Sequence, residues 1–445
     1  MTSIHNRSHA LLAKLSFLAL ALSCAALPGL EPFGPWEASF AAALGILFVV
    51  GLFCSPTSAP LRQSADRHLV SITIAYAIFF VLTGFLGLAV GNQLIDVIRS
   101  VAPYVGLIFV LAAWWWSRAW LTPKTLNTQL VIVGAGQAVF TFLVFGANTI
   151  ALDSGSILSS RVTQFDARLT MPFTIAAAVV AFGRAAFAQA LSLRQILYLG
   201  VALLCLAACL ATQTRSQILS VMVGISVALI FGIFTGGMAR FQIAPARKRR
   251  LVWLMIFSAI GAALLLIFTE FGAALLNALL LRNAAVGDGR IDYEVIPALE
   301  LYVSSGPGVW LLGVGAGTPF VDSTLESRTY LHNVILYALL YGGLAGVFVV
   351  LALWWRLAVR VNTLWRQQGD PDWLALLSVI AAMFCYAQFF AVHKILPFNL
   401  ILWLAVTCVL NAPARSFVRN VGERQPSTVR RGVVIAQPVR QSRAI

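Results

Sequence analysis

Near the middle of a strongly apolar chain, "TYLHNVILYALLYGGLAG" (329–346) sets His332 and Asn333 directly before a run that could sit in lipid. An unperturbed imidazole has a pKa of about 6.5, so His332 can accept a proton near neutral pH. At the start of a membrane span it would lie where a lipid-linked substrate presents its head group; the plainer role is a helix cap. A second group is Arg215 in "LATQTRSQILS", where Gln213, Thr214, Arg215, Ser216 and Gln217 make a polar knot between two apolar runs. There is no room for a long loop, so the guanidinium sits at the membrane boundary. It can grip lipid phosphate or an anionic substrate, and its planar donors suit phosphate bidentately. A third is Arg290 in "GDGRIDYEV", approached through two glycines, with Arg282 eight residues earlier as a weaker candidate for the same role. The alternative for Arg290 is an ordinary ion pair with Asp288 or Glu294.

Nothing near these residues reads as another chemistry. Ser-His-Asp order, HExxH and paired-acid patterns are missing. Asp288, Asp292, Glu294 and Glu300 could bind a cation, but an amphipathic helix needs such residues on its wet face anyway. No metal site and no cofactor is expected. "GVGAG" (313–317) has neither the preceding strand nor the spacing of a dinucleotide loop and reads as a tight turn.

The elements that must position these residues follow from composition. With 60% hydrophobic and 11% charged residues and a mean hydropathy of +0.87, the chain is not a soluble globular one. Apolar runs of about 20 residues recur, the length a helix needs to cross a bilayer. The alternation of a membrane β-barrel is absent, so the fold class is all-α and polytopic. Twelve transmembrane helices are expected, near 10–29, 37–55, 69–91, 96–116, 128–147, 171–191, 195–213, 216–239, 251–275, 331–354, 373–393 and 396–412. The first of these also has some features of a signal peptide, with Arg7 and Lys14 ahead of an apolar run. Residues 1–412 read as one bundle, and 413–445 as a basic, disordered cytoplasmic tail. The six cysteines lie inside or at the edges of spans, as buried thiols.

Charge gives the orientation. With the N-terminus inside, 22 of the 31 Lys and Arg fall on the cytoplasmic side, eight outside, and Arg184 within a span. This is the positive-inside bias. The net charge of +15 therefore orients the protein and contacts membrane lipids; nucleic acid is not expected as a partner. Arg184 lies closer to the cytoplasmic end of its span, where snorkelling explains it as well as a function does.

The longest outer segment is 270–331. Within it, apolar residues recur after Ile291 at Val295, Leu299, Tyr302 and Val303, predicting an amphipathic helix along the membrane surface or over the bundle that "SSGPG" (304–308) ends. Trp310 suits an interfacial anchor. The outer loop 149–170 carries Arg161 and Arg168. With Arg99 and Lys394, beside His393, these line the site or contact head groups.

Taken in order, "TRSQ", "GDGR", the amphipathic stretch, "LGVGAGTPF" and "LHNVILYALLYGGLAG" resemble the O-antigen ligase and O-antigen polymerase superfamily over roughly 210–350. Many members carry an acidic residue shortly before the glycine of the last motif, and "YALLYGG" has none. The resemblance implies an enzyme of the bacterial inner membrane with both termini cytoplasmic and a periplasmic active site. It would transfer a glycan from undecaprenyl pyrophosphate to a sugar hydroxyl of the lipid A core, inverting, without ATP or an obligatory metal. Carried over, Arg215 and Arg290 would hold the pyrophosphate, and His332 would be the general base. Asn333 would orient the histidine or a sugar hydroxyl. Gln217, Arg282, Arg161 and Arg168 would contact substrate. The alternatives are a polymerase of the same superfamily, glycan transfer to protein, and a transporter of the lipid-linked glycan.

Overall fold

The computed structural model describes residues 66–105, 121–151, 171–187, 192–211, 215–234, 294–321, 327–329, 331–389 and 396–412. Their helices are α1 (Arg67–Ala89), α2 (Leu94–Val105), α3 (Pro123–Ala151), α4 (Met171–Phe187), α5 (Leu193–Ala211), α6 (Arg215–Phe234), α7 (Ile296–Ser304), α8 (Pro307–Leu312), α9 (Val334–Gln368), α10 (Pro371–Phe389) and α11 (Leu396–Asn411). Two short strands, β1 (Phe320–Val321) and β2 (Ser327–Arg328), pair antiparallel with Phe320 opposite Arg328. The chain divides into two units, Met1–Ala412 and Pro413–Ile445. The described residues all belong to the first.

Among the described residues, six helices are long and apolar enough to cross a membrane: α1, α3, α5, α6, α9 and α10. Shorter apolar stretches, Pro172–Phe187 in α4 and Pro397–Asn411 in α11, stand where two further spans are expected. The expected spans 10–29, 37–55 and 251–275 lie outside the described residues, and that at 96–116 is described only to residue 105.

Exposed apolar side chains fall in stripes of helical spacing. Ile74, Ile78, Leu82 and Phe85 line α1, and Leu344, Phe348, Leu351 and Trp355 line α9. Steps of three and four residues keep such a set on one face, and a face this greasy suits lipid rather than water. Between the helices, small residues allow close approach, as membrane packing requires. A Cβ at Gly134 of α3 would stand 2.3 Å from the Phe173 carbonyl of α4.

Polar contacts fix which helix ends lie together. Asp66 caps α1 by accepting from the Leu69 N–H and takes hydrogen bonds from Arg356 of α9 at 2.8 Å. Burial alone would raise the Asp66 carboxyl. The hydrogen bonds from Arg356 and the Leu69 N–H, with the charges of Arg356 and Arg360, outweigh it and hold that group below its ordinary value. At the same end, Trp373 of α10 donates to Gln368, the last residue of α9.

Arg184, left open by the sequence between snorkelling and a function, makes a four-helix knot. It donates to Asp372 of α10 from Nε at 2.9 Å and from Nη2 at 2.8 Å, to Thr128 and the Lys124 carbonyl of α3, and to Tyr198 of α5. Asn127 of α3 also donates to Asp372. Lys124, Arg184, Arg194, Arg356, Arg360 and Arg366 thus gather toward one end of the described bundle.

The opposite end carries the loop 313–317. Gly313, Gly315 and Gly317 all have positive φ, a conformation that favours glycine. The loop's backbone is packed as well as turned. Val314 N–H donates to the Leu340 carbonyl of α9, and Ala316 N–H to the Thr83 carbonyl of α1. Asn92 pins the loop from the side, donating to the Ala316 carbonyl and Thr318. A Cβ at Gly313 would fall 2.3 Å from the Tyr341 carbonyl carbon. The "GVGAG" stretch is therefore a backbone wedge between α1 and α9. Where it meets α9 the helix breaks, with Gly343 at φ 63° and ψ −161°.

Candidate functional site

At the wedge end of the bundle, α9 begins with Asn333 in an extended conformation. Its side-chain oxygen accepts from the N–H groups of Ile335 and Leu336, both at 2.9 Å. This satisfies two of the donors a helix start leaves unpaired. Its amide nitrogen donates to the Gln388 carbonyl near the end of α10, at 3.2 Å. The Asn333 side chain thus ties the start of α9 to the end of α10. Replacing Asn333 with alanine is expected to cost about 1 kcal/mol, seen as a lower thermal midpoint of the detergent-solubilised protein. Asn333→Ser keeps the cap acceptor and should recover most of that loss; an unchanged midpoint in the alanine variant would refute the capping role.

One residue earlier, the His332 ring meets Glu294. Nδ1 lies 2.6 Å from Glu294 Oε2, and the backbone N–H of His332 donates to Oε1 of the same carboxylate. Glu294 is only 3% exposed. A buried carboxylate needs such partners, because stripping its water is costly. The histidine side chain keeps partial exposure, at 21%.

The local fold explains how a glutamate comes to point inward. Glu294 and Val295 form a wide, π-type turn leading into α7. Glu294, Ala298 and Tyr302 are spaced by four, so they share one helical face, and all three are buried. The sequence reading grouped Val295, Leu299, Tyr302 and Val303 as one apolar face, turned to the membrane surface or the bundle. Val303 is 59% exposed. The face is rotated because its first inward residue is polar, and apolar periodicity cannot register a carboxylate matched to an imidazole elsewhere in the chain. Glu300 of the same helix is exposed. α7 is tied to α8 by Tyr302 Oη donating to the Trp310 carbonyl and by the Trp310 indole donating to the Val303 carbonyl.

Gln217 stands in the first turn of α6 and donates to Tyr386 of α10 at 3.4 Å. Tyr386 precedes Gln388, the acceptor of Asn333, by two residues. The start of α6, with Arg215 as its first residue, is therefore at the same end of the bundle as His332. The Arg215 side chain lies outside the described residues, as do Arg161, Arg168, Arg282, Arg290, His393 and Lys394 and the side chain of Arg99. The structure thus brings together His332, Asn333 and Gln217, and adds Glu294. Among the described residues, no three His, Cys, Asp or Glu side chains are grouped so as to hold a metal ion.

The arrangement offers a histidine whose ring is fixed from one side by a buried carboxylate, at one end of a bundle of membrane-compatible helices. Chemically it can accept a proton from a hydroxyl brought to that end. No family model matches the chain, and comparison with curated proteins returns no match.

Proposed function

We propose that the protein is a membrane glycosyltransferase of the O-antigen ligase type, moving a glycan from undecaprenyl pyrophosphate to a sugar hydroxyl of the lipid A core at the periplasmic face. The observation that carries the reading is the convergence of the start of α6 with the His332–Asn333 junction, linked through Gln217, Tyr386 and Gln388. Two residues that are 117 positions apart by number, Arg215 and His332, belong to helix starts at one end of the bundle.

Three further points support it. An arginine at the first position of a helix faces the positive end of the helix dipole, an unfavourable place unless an anion sits there. The backbone N–H groups of that same first turn add donors for phosphate oxygens. Finally, Arg290 is four residues from Glu294, so even fully extended its Cα stays within about 14 Å of the Glu294 Cα. A long guanidinium side chain on so short a tether can reach a diphosphate lying beside His332.

In the proposed reaction, the acceptor hydroxyl oxygen bonds to the anomeric carbon as the bond to the pyrophosphate oxygen breaks. The pyrophosphate leaves with the electron pair, and the hydroxyl proton passes to His332. Arg215 and Arg290 stabilise the charge that grows on the leaving group. Attack opposite the leaving group inverts the anomeric centre. The cationic end of the bundle then faces the cytoplasm, in keeping with the positive-inside bias.

The test uses purified protein with lipid-linked glycan and lipid A core, in chelator. Ligated product is expected; donor movement without covalent product would identify a transporter instead. In a deletion strain, core without polymer and accumulated lipid-linked polymer are expected. Core bearing a single repeat unit would point to a polymerase.

A further inference from the structure

We propose that Glu294 is the positioning residue for His332: its buried carboxylate grips the ring through Nδ1 and the backbone through the N–H, fixing the tautomer that presents Nε2 as the basic nitrogen. The inference rests on the reading of His332 as the general base and adds the group that makes it competent.

The geometry argues for this from both partners. One carboxylate meets two points of the same residue, Oε2 at Nδ1 and Oε1 at the His332 N–H. Holding the ring and its own backbone together restricts rotation about both side-chain torsions of the histidine. An ionised carboxylate only accepts hydrogen bonds, so the proton in the 2.6 Å contact belongs to Nδ1. In the neutral ring the lone pair then resides on Nε2. When Nε2 takes the proton of the acceptor hydroxyl, the resulting imidazolium lies against a negative charge that was already in place. A carboxylate behind a catalytic imidazole contributes in this way, by orientation and by stabilising the cation, without itself taking the proton.

Asn333, the neighbour expected to orient the ring, has its amide engaged with the α9 N–H groups and the Gln388 carbonyl. Glu294 also sits at the head of α7, in the outer segment that carries Arg290. One short stretch therefore supplies both the group that sets the base and, four residues upstream, the arginine proposed to hold the leaving group.

The experiment combines kinetics with the state of the ring. Glu294→Gln keeps the shape but cannot accept from both the ring and the backbone N–H through oxygen. It should lower kcat about 100-fold while leaving the KM for the lipid-linked donor within about twofold. Glu294→Asp retains the charge and should recover at least about a tenth of the wild-type kcat. In parallel, the protein is labelled with ¹⁵N-histidine, reconstituted in lipid and studied by solid-state NMR. His332 is assigned among five histidines by its loss in His332→Gln. The neutral ring should carry its proton on Nδ1 in the wild type and shift toward Nε2 in Glu294→Gln. A wild-type ring protonated on Nε2, or a Glu294→Gln enzyme within about threefold of wild-type kcat, would overturn the proposal. If the tautomer is as expected but His332→Gln still transfers glycan at the wild-type rate, the general-base reading fails while the Glu294–His332 assignment stands.

Discussion

Replacing His332 is expected to remove transfer and to leave donor binding. His332→Ala is expected to lower turnover by about 10³-fold or more, equivalent to about 4 kcal/mol of transition-state stabilisation. The proposed base touches the acceptor proton, whereas the donor's charge is proposed to be held by arginines elsewhere in the chain, so affinity for a polyprenyl-pyrophosphate-linked glycan should hold within about threefold. Alanine also strips a buried carboxylate of its ring partner, which costs stability on its own account. His332→Gln separates the two effects, because its amide can still donate toward Glu294 but cannot act as a base near neutral pH. Rates are read as ligated product per unit time, and binding as retention of labelled donor. Full activity in the glutamine variant would sink the mechanism, and donor affinity lost in step with rate would place His332 in the binding site rather than at the proton.

The largest structural loss is expected at the far end of the bundle. Asp372→Ala leaves the Arg184 guanidinium without its carboxylate, at a position where the side chain is only 11% exposed. Removing one partner of a buried pair costs about 3–5 kcal/mol, because the remaining charge stays desolvated. The loss is compounded by Asn127, whose amide also donates to the Asp372 side chain. Since Arg184 joins α3, α4, α5 and α10, the damage should spread beyond one helix pair, appearing as a lower thermal midpoint and poor recovery from the membrane. Arg184→Met combined with Asp372→Leu removes both charges and should regain much of the stability. The size of that recovery measures the coupling between the two residues. A single Asp372→Ala variant as stable as wild type would show that the knot is solvated in the bilayer-embedded protein.

How far the sequence announced all this depends on the kind of signal. Long apolar runs are read directly, because lipid leaves backbone groups no partner but their own helix. Hence α1, α3, α5, α6, α9 and α10 stand where hydropathy puts them. His332 and Asn333 were conspicuous as polar residues at the mouth of such a run. Glu294 was not, since a carboxylate in an amphipathic stretch is the expected solvent-facing residue. Only the contact with His332, 38 positions away, reveals its direction. The role of Arg184 stayed open for the same reason: Asp372, which pins its guanidinium, is 188 positions distant. "GVGAG" announced a turn, but its packing against α1 and α9 depends on backbone approaches that no residue spacing encodes.

The break at Gly343 carries a consequence for life in bilayers of differing thickness. Beyond it, Leu344–Gln368 alone extends roughly 37 Å as a helix, enough to cross the hydrocarbon core unaided. The shorter piece before it, Val334–Gly342, is gripped by the wedge through the Leu340 carbonyl. A span that tilts to absorb mismatch with its surroundings can therefore do so without dragging along the nine residues that follow His332 and Asn333. The break thus divides α9 into a piece that follows the His332–Asn333 junction and a piece long enough to span by itself.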